Sequence, residues 1–170
     1  MWPCYQKQTI IFFWPKVNDA IKEAKEIENR KQNLIIVNVQ ENTGDDANNK
    51  DKEVIENIMK KIIPDEEVKI DQITRIGKKM ENNSRLIRIK VQNSDIKRRI
   101  LQNSNKVNEG TEIIDPKKKI YINPDYTKKE SELQKTLRDK LRAMPTEERA
   151  KYTIKFNRII PRDETTKVKQ

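Results

Sequence analysis

The chain has 170 residues, 34% hydrophobic and 38% charged, which suits a small core with long solvated helices and argues against a large enzyme. Lys and Arg outnumber Asp and Glu 37 to 27, a net charge of +10 that points to a polyanionic partner. His is absent and Cys4 is the single cysteine, which excludes zinc knuckles, His-based acid–base chemistry, Cys/His nucleophiles and an intramolecular disulfide.

Residues 1–15 read as an unstructured leader. Their apolar run, Thr9–Trp14, is far shorter than a bilayer span and ends at Pro15 and Lys16, so no membrane partner is expected. Residues 16–32 read as a helix rich in Ala, Glu and Lys, with Val17, Ala20 or Ile21, Ala24 and Ile27 as a narrow apolar seam. That is about two heptads, a coiled-coil stub fit for a surface helix or for homo-oligomer contacts.

Asn33–Val39 is short, β-branched and apolar, as a central strand should be. An acidic, Asn-rich loop precedes an amphipathic helix over Asp51–Ile63, which Pro64 stops. Val68–Ile76 reads as a strand closed by Gly77. Arg85–Val91 alternates, with Ile87, Ile89 and Val91 on one face and Leu86, Arg88 and Lys90 on the other. Ser94 is the expected N-cap of a helix over Asp95–Asn103, and Lys119–Ile122 is a fourth strand.

The order strand, helix, strand, strand, helix, strand within residues 33–123 predicts an α+β fold. It is a split βαβ arrangement, RNA-recognition-motif-like, with a four-stranded antiparallel sheet and two helices on one face. The other face would be a platform for single-stranded nucleic acid. Residues 124–162 read as a small second domain. Thr127 and Glu130 form a capping box, and the helix after them separates an apolar stripe (Leu133, Leu137, Leu141, Met144) from a basic one (Lys128, Lys135, Arg138, Arg142). A hairpin turning at Asn157–Arg158 follows, and residues 163–170 read as a disordered tail.

Charge placement separates function from an AT-rich codon bias, which Lys, Asn and Ile abundance would also reflect. Residues 1–63 carry equal numbers of acidic and basic residues, so the whole surplus lies in residues 64–170. Its candidate nucleic-acid contacts are Arg75, Lys78, Lys79, Arg85, Arg88 and Lys90 on the second and third strands and their connection, Lys119 at the fourth strand, and Lys128, Lys135, Arg138 and Arg142 on the helix. The aromatic stacking positions of RNA-recognition domains hold Ile35, Leu86 and Arg88 instead. Arg88, through its guanidinium plane, and Tyr121 are the available substitutes. Asp45 and Asp46, and Asp65, Glu66 and Glu67, read as solubilising loop charges rather than a metal site. With only Gly44, Gly77 and Gly110, no phosphate-cradling glycine motif exists; no enzyme activity and no cofactor are expected.

The succession NLIIVNVQE, ITRIG, RLIRIKV, KIYINPDYT, Leu-repeat helix and hairpin resembles the first-open-reading-frame protein of LINE-type non-LTR retrotransposons over about residues 17–162. The resemblance implies a trimerising coiled coil, an RNA-recognition-like domain and a small C-terminal domain. It further implies a non-enzymatic protein that coats element RNA in cytoplasmic, and also nuclear, ribonucleoprotein particles and acts as a nucleic-acid chaperone. Arg75 and Arg88 match basic strand positions of that family; an arginine pair of its mammalian members falls on Gln134 and Lys135, so half of it is lost. The expected function is single-strand-preferring, largely sequence-independent RNA and DNA binding. The rival is a protein-interaction module with residues 16–32 as a docking helix.

Overall fold

The computed structural model describes residues 6–41, 47–80, 83–110, 115, 118–155 and 157–162. Gly44, Asp45, Asp46, the first five residues of the expected leader and the expected tail lie outside them. The chain divides into two units, Met1–Asp125 and Tyr126–Gln170.

The first unit runs α1 (Gln6–Arg30), β1 (Asn33–Val37), α2 (Ala47–Ile62), β2 (Ile70–Ile76), β3 (Leu86–Val91), α3 (Ser94–Gln102), a 3-10 turn (Ser104–Asn108) and β4 (Tyr121–Pro124). The four strands form one antiparallel sheet in the order β2-β3-β1-β4. The fold is therefore α+β.

Helix α1 begins at Gln6 and so occupies most of the stretch expected to be an unstructured leader. No glycine interrupts it, and once a helix is nucleated each added residue gains a hydrogen bond. Pro15 lies within it and gives up one such bond. Val17, Ala20, Ile21, Ala24 and Ile27, the expected apolar seam, are all exposed. No helix among the described residues is long and apolar enough to cross a membrane.

Strand alternation sets the core. Leu34 and Ile36 of β1, Ile87, Ile89 and Val91 of β3, and Ile122 of β4 are buried against Ile55, Ile58, Met59 and Ile62 of α2 and Ile96 and Ile100 of α3. Both helices thus cover one face. Their apolar residues recur at helical spacing, which is why two helices form in these stretches. Helix α2 starts at Ala47, four residues before the expected Asp51 and within the stretch read as a loop, and ends at Ile62 instead of Ile63. Helix α3 starts one residue earlier than expected, because Asn93 rather than Ser94 is its N-cap. Asn93 is extended at φ −158°, and its side-chain oxygen accepts the Ile96 N–H at 2.8 Å. Strand β4 is shifted two residues beyond the expected span. Asn38, at the left-handed φ of 66° that asparagine tolerates, donates from Nδ2 to the Lys119 carbonyl at 2.8 Å, so the chain before Tyr121 is tied to the β1 exit instead of pairing in the sheet.

The second unit contains α4 (Lys128–Ala143), α5 (Thr146–Arg149) and the antiparallel hairpin β5 (Tyr152–Lys155) and β6 (Arg158–Pro161). The expected capping box is present: the Thr127 side chain accepts the Glu130 N–H at 3.2 Å, and the Glu130 carboxylate accepts the Thr127 N–H at 2.9 Å. Asn157, at φ 56°, makes the hairpin turn.

Candidate nucleic-acid interface

Register assigns each strand residue to a face. Opposed residues in antiparallel strands share a face, so the outer face, opposite the helices, carries three cross-strand rows. Gln72, Lys90 and Asn33 form the first; Thr74, Arg88, Ile35 and Asn123 the second. Ile76 and Leu86 pair in the third, Val37 and Tyr121 pair in it, and one more step of the β1–β3 register sets Val37 beside Leu86.

Two of the expected contacts are internal structural arginines. Arg75 lies opposite Ile87 and so points to the helix-covered side. Its side chain is 8% exposed and forms a two-bond fork to Asp51 of α2, Nε to Oδ2 and Nη2 to Oδ1, each 2.8 Å. It also donates to the carbonyls of Val39, Gln40 and Arg85. A guanidinium with these partners has nothing left for phosphate, and Arg75 is removed from the interface. Arg85 donates to both oxygens of Glu41, from Nε at 2.9 Å and Nη2 at 3.1 Å, and its backbone N–H donates to Oε1 at 2.8 Å. These bonds hold the Glu41 carboxyl at about 2, well below its ordinary 4.5. Arg85, at 29% exposure, is neutralised by this pair but is not buried as Arg75 is.

Arg88 is on the outer face as alternation predicts, but it is engaged. Its Nε lies 2.9 Å from Oδ2 of Asp125, an ion pair whose geometry leaves that N–H without a hydrogen-bond acceptor. The Arg88 side chain is 40% exposed and that of Asp125 only 5%. Asp125 also accepts from Asn33 Nδ2 at 3.1 Å and from Arg30 Nη1, at the end of α1, at 3.4 Å. Arg30 pairs with Glu26 as well. No motif in the sequence announced this carboxylate, and only the register of β4 against β1 places it.

The remaining cations have no carboxylate partner among the described residues: Lys78 and Lys79 after β2, Lys90 on β3, Lys119 before β4, and Lys128, Lys135 and Arg138 on α4. Arg142 is exposed in a 3.6 Å pair with Asp139, an i,i+3 contact of little strength. The basic stripe of α4 is exposed throughout. Gln134, by contrast, is buried and donates from Nε2 to Asn157 Oδ1 at 2.7 Å, so it serves the hairpin of its own unit. Beside the stripe, burial pushes the Tyr126 hydroxyl above its ordinary 10.0, Glu130 acts the same way, and Arg138 opposes both. Tyr121 projects on the outer face, 45% exposed.

Among the described residues no group of three His, Cys, Asp or Glu could hold a metal ion. The first unit offers lysines around its sheet face and the second a basic stripe along α4; each taken by itself is suited to contacts with a polyanionic backbone. No family model matches the chain, and no curated protein matches it.

Proposed function

We propose that this chain is a single-strand-preferring, largely sequence-independent RNA- and DNA-binding protein. Its first unit then acts as an RNA-recognition-like domain and the whole as a nucleic-acid chaperone of the LINE retrotransposon type. The observation that carries the reading is the sorting of the basic residues. Arg75 and Arg85 are consumed by internal carboxylates, yet Lys78, Lys79, Lys90, Lys119, Lys128, Lys135 and Arg138 are left with none among the described residues. Cations serving only solubility need no such separation.

Gln134 is a departure from the family's pattern and takes that position out of the reading. The family's arginine pair would meet a buried hairpin contact at this position, so in this chain Lys135, Arg138 and Arg142 carry the stripe. The exposed apolar residues of α1, Val17, Ile21 and Ile27, favour self-association of that helix as a second property, read by light scattering of the whole chain.

The test is fluorescence anisotropy of a labelled single-stranded RNA of roughly 20 nucleotides, with single-stranded and duplex DNA as competitors. With six or more phosphates contacted, affinity falls by about a thousandfold or more between about 50 and 200 mM salt. Absent binding at low salt, or binding insensitive to salt, overturns the reading in favour of a protein-interaction module.

A further inference from the structure

Asp51 and Asp125 each hold an arginine of the first unit, and they hold it differently. The fork from Arg75 to Asp51 has two bonds of 2.8 Å, and both side chains are under a tenth exposed. At Asp125 the contacts are looser. Arg88 Nε lies 2.9 Å from Oδ2 without the alignment of a hydrogen bond. Arg30 Nη1 reaches Oδ1 only at 3.4 Å and its guanidinium is shared with Glu26, which leaves Asn33 Nδ2, at 3.1 Å, as the best-placed donor. The Arg88 side chain is 40% exposed, so a ligand on the outer face can reach it. One step of the β1–β4 register beyond Leu34 and Pro124 sets Asp125 opposite Asn33, and Lys90 faces Asn33 from the other side. Donors from α1, β1 and β3 thus converge on one carboxylate, with a lysine in the same row.

We infer that Arg88, Asn33 and Lys90 form a phosphate site whose occupant in the free chain is Asp125, and that a phosphodiester of the bound strand displaces this carboxylate. The inference rests on the nucleic-acid reading above and goes beyond it by naming an internal competitor of the ligand. A carboxylate and a phosphodiester each present two oxygens sharing one negative charge, so the same N–H groups serve either. Asp125 meets the guanidinium of Arg88 through one nitrogen, whereas a phosphodiester can take two parallel bonds from the fork. The misaligned contact gives up little when it opens, Arg30 keeps Glu26, and the released carboxylate exchanges its partners for water. Asp51 has no such freedom, because its loss strands a buried arginine. Inorganic phosphate has the same chemistry but acts at this site alone. A strand also engages Lys78, Lys79 and Lys119 of the same unit, and that linkage raises the effective concentration of its phosphates at the site. Asp125 therefore sets a threshold that a strand passes and a free anion does not.

The experiment is a double-mutant cycle in the full chain: wild type, Asp125→Asn, Arg88→Met and the double variant, each titrated into a labelled single-stranded RNA at several salt concentrations. Asp125→Asn should raise affinity by about fivefold or more. It should also steepen the salt dependence by about 0.7 in log–log slope, the value for one further phosphate on a single strand. Arg88→Met should cost less in the wild type than in the Asp125→Asn chain, where it should undo both gains. Inorganic phosphate added at constant ionic strength should not displace the RNA from the wild type. If Asp125→Asn gives the same gain with and without Arg88, or none, the displacement is overturned while the nucleic-acid reading stands. Displacement of the RNA by inorganic phosphate gives the site to a free anion and overturns it also. No binding by any of the four chains overturns both readings. Melting curves check that Asp125→Asn folds. If it does not, the wild type decides by NMR: the Arg88 Nε–H resonance, identified by its absence in Arg88→Met, should move as RNA is added, and an unmoved resonance overturns the displacement.

Discussion

Arg75 and Asp51, 24 residues apart in the chain, meet in a two-bond fork that joins the end of β2 to the first turns of α2. Both side chains are under a tenth exposed. Removing the arginine alone takes two hydrogen bonds from a buried carboxylate and the guanidinium donor from three carbonyls. Arg75→Ala should therefore cost about 3–5 kcal/mol, read from urea unfolding. Replacing the pair by Met and Leu should recover only part of that, since the Val39, Gln40 and Arg85 carbonyls stay unserved.

Glu41 gives the fold an acid-sensitive contact. Its carboxyl is held at about 2 by Arg85 against an ordinary 4.5, so the folded state binds its proton less readily than the unfolded chain. The stabilisation is complete above the ordinary value and is lost as pH falls from 4.5 towards about 2. Glu41→Gln should lower the urea midpoint at neutral pH, and the difference from wild type should shrink across that acid window. A difference constant with pH would assign the contact no electrostatic part.

Gly77 closes β2 at φ +99°, and a Cβ added there meets nothing within 4 Å. The cost of a side chain is thus backbone strain alone. Gly77→Ala should destabilise by about 1–2 kcal/mol, and Gly77→Asn by less, since asparagine enters positive φ more readily. On the proposed function, both variants should also weaken RNA binding, because Lys78 and Lys79 follow directly.

The capping box of α4 makes a local prediction. Thr127 is fully buried and accepts the Glu130 N–H. Thr127→Ala should cost about 1 kcal/mol and raise amide exchange in the first turn of α4, with the exchange of β1 and β3 unchanged. Thr127→Ser should restore most of the protection.

Local pattern carried much of the architecture. The alternation of Ile87, Ile89 and Val91, the helical spacing of Ile55, Ile58, Met59 and Ile62, and the Thr127–Glu130 spacing each depend on neighbours within a turn or two. The role of Arg75 was hidden for a physical reason. The β2–β3 register shifts between Ile70 and Gln72, so Ile70 and Ile73 fall on the same face although they are three positions apart. Alternation read straight through VKIDQITRI therefore gives no consistent face, and Arg75 looks as available as any strand cation. Whether an arginine is free or consumed depends on partners such as Asp51, Glu41 and Asp125, each brought in by the fold and not by sequence spacing.

Asp125 closes the sheet of the first unit at the point where the chain both enters and leaves that sheet. It sits just after β4 and binds Asn33 at the start of β1 and Arg30 at the end of α1. Since β1 and β4 are antiparallel with Leu34 opposite Pro124, tension along the chain enters and exits at the same end of that strand pair. Such a load peels the ladder open one rung at a time instead of shearing all rungs at once. The Arg30–Asp125–Arg88 cluster is then the first set of contacts to bear force, and mechanical resistance of the sheet begins at a single carboxylate.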